Sequence, residues 1–110
     1  MVRIICLIRP HRLEPVKSAI AALGVSGMTV TDVRGTGNSP GGRAASAAVV
    51  APMPIQSRLE VVVPDDLREA VIGAIIEHAR TGDPGDGKIF VERIADAVRV
   101  RTGERGETAI

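Results

Sequence analysis

The apolar positions change period along the chain, and each change marks an element. Val2 to Ile8 is apolar except for Arg3 and rich in β-branched side chains, the pattern of a strand buried on both faces. Pro10 ends it. Leu13, Val16, Ile20 and Leu23 follow at steps of three and four, one stripe of a helix, and Gly24 and Gly27 mark its exit. Met28 to Gly35 returns to an imperfect alternation through Met28, Val30 and Val33, a second strand. The order then repeats. Arg58 to Val63 reads as a strand ended by Pro64, and Asp65 or Asp66 stands where a helix cap is needed. Leu67, Val71, Ile75 and Ala79 give the second helical stripe, Gly82 to Gly87 a turn-rich connection, and Lys88 to Ile94 a fourth strand. Pro10-x-x-Leu13 and Pro64-x-x-Leu67 echo each other at equivalent places. The pattern predicts an α+β, ferredoxin-like βαββαβ duplication, one domain over residues 1–110, with a short tail strand from Ala97 to Arg101.

Composition removes several functions. With 14 Lys+Arg against 13 Asp+Glu the net charge is +1, too little for duplex DNA, whose binding releases counterions through clustered cations. Phe90 is the one aromatic residue, so the sheet lacks the rings that stack on bases. No nucleic-acid partner is expected. No apolar run reaches the ~18 residues that a membrane span requires, and the first residues lack a secretory pattern, so a cytoplasmic protein without membrane insertion is expected. A single cysteine, Cys6, permits neither an internal disulfide nor a four-cysteine metal site. Inside an apolar strand it reads as an inert core residue. His11 and His78 have no partner at metal-ligand spacing, and Ser39, Ser46 and Ser57 have no His–Asp arrangement around them. No catalytic residue and no resident metal are expected.

Residues 36–56 break the pattern. These 21 residues hold three Gly, three Pro and five Ala, and Arg43 is their only charge. Closing a hairpin takes about five residues or fewer, and longer loops tend to be functional or disordered. Small side chains suit either a mobile surface excursion or a segment threaded into a partner's crevice.

Two stretches point to anion chemistry. Thr81-Gly82-Asp83-Pro84-Gly85-Asp86-Gly87-Lys88 has the glycines that let successive amides line a concavity, with a lysine at its edge. Lys88 leads into a strand, so this is not a Walker loop. A tight connection made of turn formers accounts for the same residues. Arg99 and Arg101 share one face if residues 97–101 are a strand, and arginine suits bidentate phosphate contact. Salt bridges to Glu92, Asp96 or Glu104 are the alternative use of that pair.

At this point the residues resemble a family. Gly27-Met28-Thr29-Val30, Val61-Val62-Val63-Pro64-Asp65-Asp66, Thr81-Gly82, Gly85-Asp86-Gly87-Lys88-Ile89-Phe90-Val91 and Arg99-Val100-Arg101-Thr102-Gly103-Glu104 are similar, in order and spacing, to the PII signal-transduction proteins. The resemblance covers nearly the whole chain apart from the loop. It implies a homotrimer with adenine nucleotides in the clefts between subunits. Gly85, Asp86, Gly87 and Lys88 would belong to the phosphate turn, and Arg99 and Arg101 would reach the phosphates from the adjacent chain. Leu7, Gly27, Met28, Thr29 and Val62 would line the adenine pocket with Glu60 nearby, while Gly35, Gly37 and Asn38 would border ribose and phosphates. It also implies control of a membrane transporter or metabolic enzyme through the loop at 36–56.

The departures shape the expected activity. Asn38 and Ser39 stand where the family carries an arginine that meets terminal phosphates and a glutamine that helps hold magnesium and 2-oxoglutarate. Gln56 replaces the lysine that pairs with oxoglutarate. The loop has no tyrosine to uridylylate. ADP or AMP is therefore expected ahead of ATP, with magnesium entering only alongside ATP, and with weak or absent oxoglutarate sensing. Two other functions fit the same scaffold: a sensor of another metabolite such as bicarbonate, and a small phosphate hydrolase using Arg101 and Asn38.

Overall fold

The computed structural model describes residues 1–37 and 53–110. Strand β1 (Val2–Ile8) is followed by helix α1 (Leu13–Ala22) and strand β2 (Met28–Arg34). Strand β3 (Ile55–Val63), helix α2 (Arg68–Ala79) and strand β4 (Gly87–Arg93) form the second half. One-turn 3-10 segments, Pro10–Arg12 and Asp65–Leu67, lead into the two helices. Pro10 is the first residue of its turn, where a missing N–H leaves nothing unpaired and the fixed φ suits the turn, whereas Pro64 stands one place earlier, as the residue that precedes the second turn. The strands form one antiparallel sheet in the order β2-β3-β1-β4, and the ferredoxin-like duplication is present.

Both helices cover the same face of the sheet. Val2, Ile4, Cys6 and Ile8 of β1 point into that layer and pair with Val63, Val61, Leu59 and Ser57 of β3. Val16 and Ile20 of α1 and Val71 and Ile75 of α2 close over them, all buried. The expectation that β1 is buried on both faces is corrected. On the opposite face only Ile5 is buried, at 7% exposure, while Arg3 and Leu7 are half-buried, because an antiparallel sheet with helices on one side leaves its other side uncovered. Leu59 is 0% exposed at the centre of the core. Leu59→Ala is expected to cost about 3 kcal/mol, the usual price of a large buried aliphatic truncation, read as a lower denaturant midpoint with an unchanged slope.

Three further expectations change. Asp65 caps no helix: the first residues of α2 have no side-chain cap, and the Asp65 carboxylate takes two hydrogen bonds from Arg93 Nη1, at 2.8 and 3.0 Å. Strand β3 starts at Ile55, so Ile55 and Gln56 belong to the sheet and not to the loop. The tail forms no strand beyond an isolated bridge between Val98 and Arg105. Residues 99–104 turn back instead, through Arg99 N–H to Glu104 O at 2.9 Å and Gly103 N–H to Arg99 O at 2.7 Å. Asn38, Ser39, Arg43 and Ser46 lie outside the described residues.

Candidate functional site

The connection from α2 to β4 is built around one carboxylate. Asp86 Oδ2 accepts the amides of Thr81 at 2.9 Å and Gly82 at 3.0 Å, and Oδ1 accepts the Thr81 hydroxyl and Arg9 Nε, the latter at 3.3 Å. The Thr81 hydroxyl and amide, followed by the Gly82 amide and Arg9, hold the Asp86 carboxyl far below the usual carboxylate range. A depressed carboxylate contributes its stabilisation above its unfolded pKa and loses it as pH falls through the lower folded value. The loop is therefore expected to keep its shape well into acid, observable as Thr81 and Gly82 amide shifts that stay constant below pH 4. Glycine is required at two positions. Gly85 has φ 95° and Gly87 φ 116°, and a Cβ on Gly87 would sit 1.8 Å from Leu7 O. Gly87→Ala is expected to destabilise by about 3 kcal/mol or more, from positive φ and a backbone clash together, read by thermal unfolding.

The loop opens onto a groove of about 420 Å³ between α2 and β4, with apolar walls that include Ile72, Ile76, Ile89 and Val91 and with Arg80, Asp86 and Lys88 at its loop end. The uncovered sheet face carries a second hollow of about 320 Å³, lined by Ile5, Leu7, Arg58, Phe90, Val91 and Glu92. Charges are paired across that face: Arg58 Nη2 donates to Glu60 Oε1 at 3.0 Å, and Arg3 Nη2 donates to Glu92 Oε2 at 2.6 Å.

The tail that carries Arg99 and Arg101 leaves the sheet at the end opposite the glycine loop. Strand β4 runs from the glycine loop at Gly87 to Arg93, and Ile94 N–H then bonds Met1 O at 3.2 Å. Six strand steps span roughly 20 Å, so the tail begins about that far from the glycine loop of its own chain. Arg99 is occupied locally, by Glu104 Oε1 at 3.1 Å and Thr108 O at 3.0 Å. Among the described residues Arg101 makes no ion pair, and it is exposed on the turn beside Val100, which is 99% exposed.

The family described as Nitrogen regulatory protein P-II matches residues 1–104. The Haemophilus influenzae Nitrogen regulatory protein P-II is 45% identical over the whole of both chains. Nitrogen regulatory protein P-II 1 of Methanothermobacter thermautotrophicus is 46% identical over 100% of this chain and 97% of its own. The chain belongs to the P-II nitrogen regulatory family. Among solved structures, Arabidopsis thaliana PII bound to citrate superposes with a TM-score of 0.83 at 43% identity, covering 99% of this chain and 91% of that one. P-II proteins are signal-transduction regulators, and the ferredoxin-like sheet described above is the fold of that neighbour.

In this P-II chain the residues singled out by resemblance fall into two groups. Leu7 pairs with both Lys88 and Arg58, so Leu7, Gly85, Gly87 and Lys88 cluster at one end. Gly35 joins that end, where its N–H bonds Pro54 O at 3.2 Å and the Gln56 side chain lies 3.0 Å from where its Cβ would be. Gly37 is exposed, and Asn38 lies outside the described residues. The second group is Gly27, Met28, Thr29, Glu60 and Val62. Thr29 pairs with Glu60 and Met28 with Val61, and Val62 pairs with Arg3. Strands β2 and β4 form opposite edges of the sheet, three strand spacings or about 14 Å apart. Within one copy Met28 and Thr29 thus stand at the edge away from Gly87 and Lys88, while Glu60 lies diagonal to Leu7 across the β1–β3 pair.

Both Asp86 side-chain oxygens are engaged inside the loop and hold its shape. Arg9 is the residue that sequence reasoning passed over: Nη2 donates to Pro84 O at 2.7 Å, besides the Nε contact to Asp86. It was legible only as a charge between a strand and a proline, and the pairing of Ile8 with Gly87 is what sets it against the loop. Cys6 is 0% exposed, and burial pushes its thiol up to about 11. A thiol raised in the folded state favours the neutral form, so stability present below the unfolded thiol pKa is lost as pH rises toward 11. Alkylation of the native protein at pH 8 is expected to leave Cys6 unmodified, with reaction appearing on unfolding. Among the described residues no three His, Cys, Asp or Glu side chains converge as a metal site, and no helix is long and apolar enough to cross a membrane.

Proposed function

We propose that this P-II chain is a non-catalytic regulator that binds adenine nucleotides in clefts shared between the copies of a homotrimer. It would control a transporter or metabolic enzyme through the segment at 36–56. The observation that carries this reading is the division of the anion-binding groups. The glycine loop and Lys88 stand at one end of β4, and the tail that carries Arg99 and Arg101 leaves from the other end, after about 20 Å of strand. That layout favours a polyphosphate held by the glycine loop of one copy and the arginines of another. The uncovered sheet face supports the same assembly. Phe90 is 49% exposed there beside Leu7 and Ile5, and a second copy removes such a surface from water.

ADP and AMP are favoured over magnesium ATP because Asn38 supplies no charge for a terminal phosphate. The nucleotide state would bias the segment that begins at Gly35, since Gly35 borders the bound phosphates in this arrangement. Calorimetry with AMP, ADP and magnesium ATP tests the reading, together with sedimentation. A trimer that binds ADP at three equivalent sites supports it. A monomer at micromolar concentration, or no heat with any nucleotide, refutes it.

A further inference from the structure

We propose that Arg9 is a positioning residue of the glycine loop, holding it in its anion-receptive shape before any ligand arrives; this rests on the nucleotide-binding reading above. Arg9 stands just past the end of the central strand β1, where Ile8 pairs with Gly87, so its side chain starts beside the last residue of the loop. From there its guanidinium makes two contacts with different parts of that loop. Nη2 donates to the Pro84 carbonyl at 2.7 Å, and Nε donates to Asp86 Oδ1 at 3.3 Å. A planar fork suits two acceptors held at fixed separation. The residue between those acceptors is Gly85, and a Cβ there would sit 3.2 Å from Arg9 Nη2. The guanidinium thus packs against the back of the loop at the residue whose φ is 95°.

Asp86 extends the grip. Its other contacts go to Thr81 and Gly82 at the start of the loop. A single chain of polar contacts therefore runs from β1 through Arg9 and Asp86 to the end of α2. Without Arg9, Asp86 keeps its bonds to Thr81 and Gly82, but the 84–86 segment loses its attachment to the sheet. Loss of a charge-assisted pair of bonds is expected to weaken ADP binding by about tenfold or more. Adenosine, which has no phosphate to meet the loop, is expected to bind Arg9→Ala as it binds the unaltered protein.

The test reads the loop and the ligand separately, in the full-length protein. Amide hydrogen exchange at Gly85, Asp86 and Gly87 is measured without ligand in Arg9→Ala, Asp86→Asn and the double variant. ADP and adenosine affinities are measured on the same proteins. The clamp predicts faster loop exchange in Arg9→Ala, the tenfold loss confined to ADP, and a double variant less impaired than the sum of the two singles, because the two residues share one contact. Exchange unchanged in Arg9→Ala overturns the proposal, as does a loss that is fully additive with Asp86→Asn and disappears at high salt, which is the signature of long-range attraction alone. If the unaltered protein binds no adenine nucleotide, the functional reading fails while the exchange measurement still decides whether Arg9 holds the loop.

Discussion

Two variants that each bind ADP poorly are expected to regain binding when their chains are mixed. Lys88→Ala removes the cation at the mouth of the glycine loop, and Arg101→Ala removes an exposed cation on the tail turn. Both residues are exposed, so neither change disturbs the core. Each loses a charge-assisted phosphate contact of about 1.5–3 kcal/mol, a weakening of roughly ten- to hundredfold. In one chain Lys88 stands at the start of β4 and Arg101 on the tail that follows its far end. In the proposed trimer each cleft would take its loop from one copy and its arginines from the next. A complete cleft in a random mixture therefore needs an Arg101→Ala copy, which keeps Lys88, followed by a Lys88→Ala copy, which keeps Arg101. With equal amounts that happens in about one quarter of clefts, so unfolding and refolding the mixture is expected to restore that fraction of tight sites. No recovery, with trimers confirmed by mass, places both residues at the same copy's ligand or at none.

The second large effect concerns 2-oxoglutarate. The resemblance implies a lysine for one oxoglutarate carboxylate at the position of Gln56, and a glutamine beside the metal at the position of Ser39. Gln56 is a β3 residue whose neutral side chain lies against Gly35. A dianion is expected to lose two charge-assisted or chelating contacts, each about 1.5–3 kcal/mol, which weakens it by at least a hundredfold. Titration of the magnesium ATP complex with millimolar oxoglutarate is expected to show no tightening. Gln56→Lys alone is expected to recover about a tenfold share of the lost affinity, one contact of the two. Tight oxoglutarate binding by the unaltered protein would show that another group takes the role.

Much of the fold was legible because burial imposes a period. The stripes at Leu13, Val16, Ile20 and at Val71, Ile75, Ala79 lie on the two helices, with Val16, Ile20, Val71, Ile75 and Ala79 buried. The second face of β1 was misread because an almost unbroken apolar run does not say which layers cover it. The tail illustrates a different limit. Arg99 and Arg101 suit a strand by spacing, but Gly103 at φ 74° and the Arg99–Glu104 pair turn the chain back. Asp65 looked like a helix cap because the local pattern allowed it, whereas its partner, Arg93, lies 28 residues away. The site was legible as residue types and not as an arrangement. The strand order alone shows that the glycine loop and the edge at Met28 stand on opposite sides of the sheet, and Arg9 enters only once Ile8 is seen beside Gly87.

The most direct measurement is a crystal structure of the full chain grown with ADP. The account predicts the diphosphate held by backbone amides at Gly85–Gly87 and by Lys88 of one copy, with Arg99 or Arg101 of a different copy within hydrogen-bond distance of the same phosphates. A nucleotide contacted by one copy alone, or seated away from the glycine loop, contradicts it.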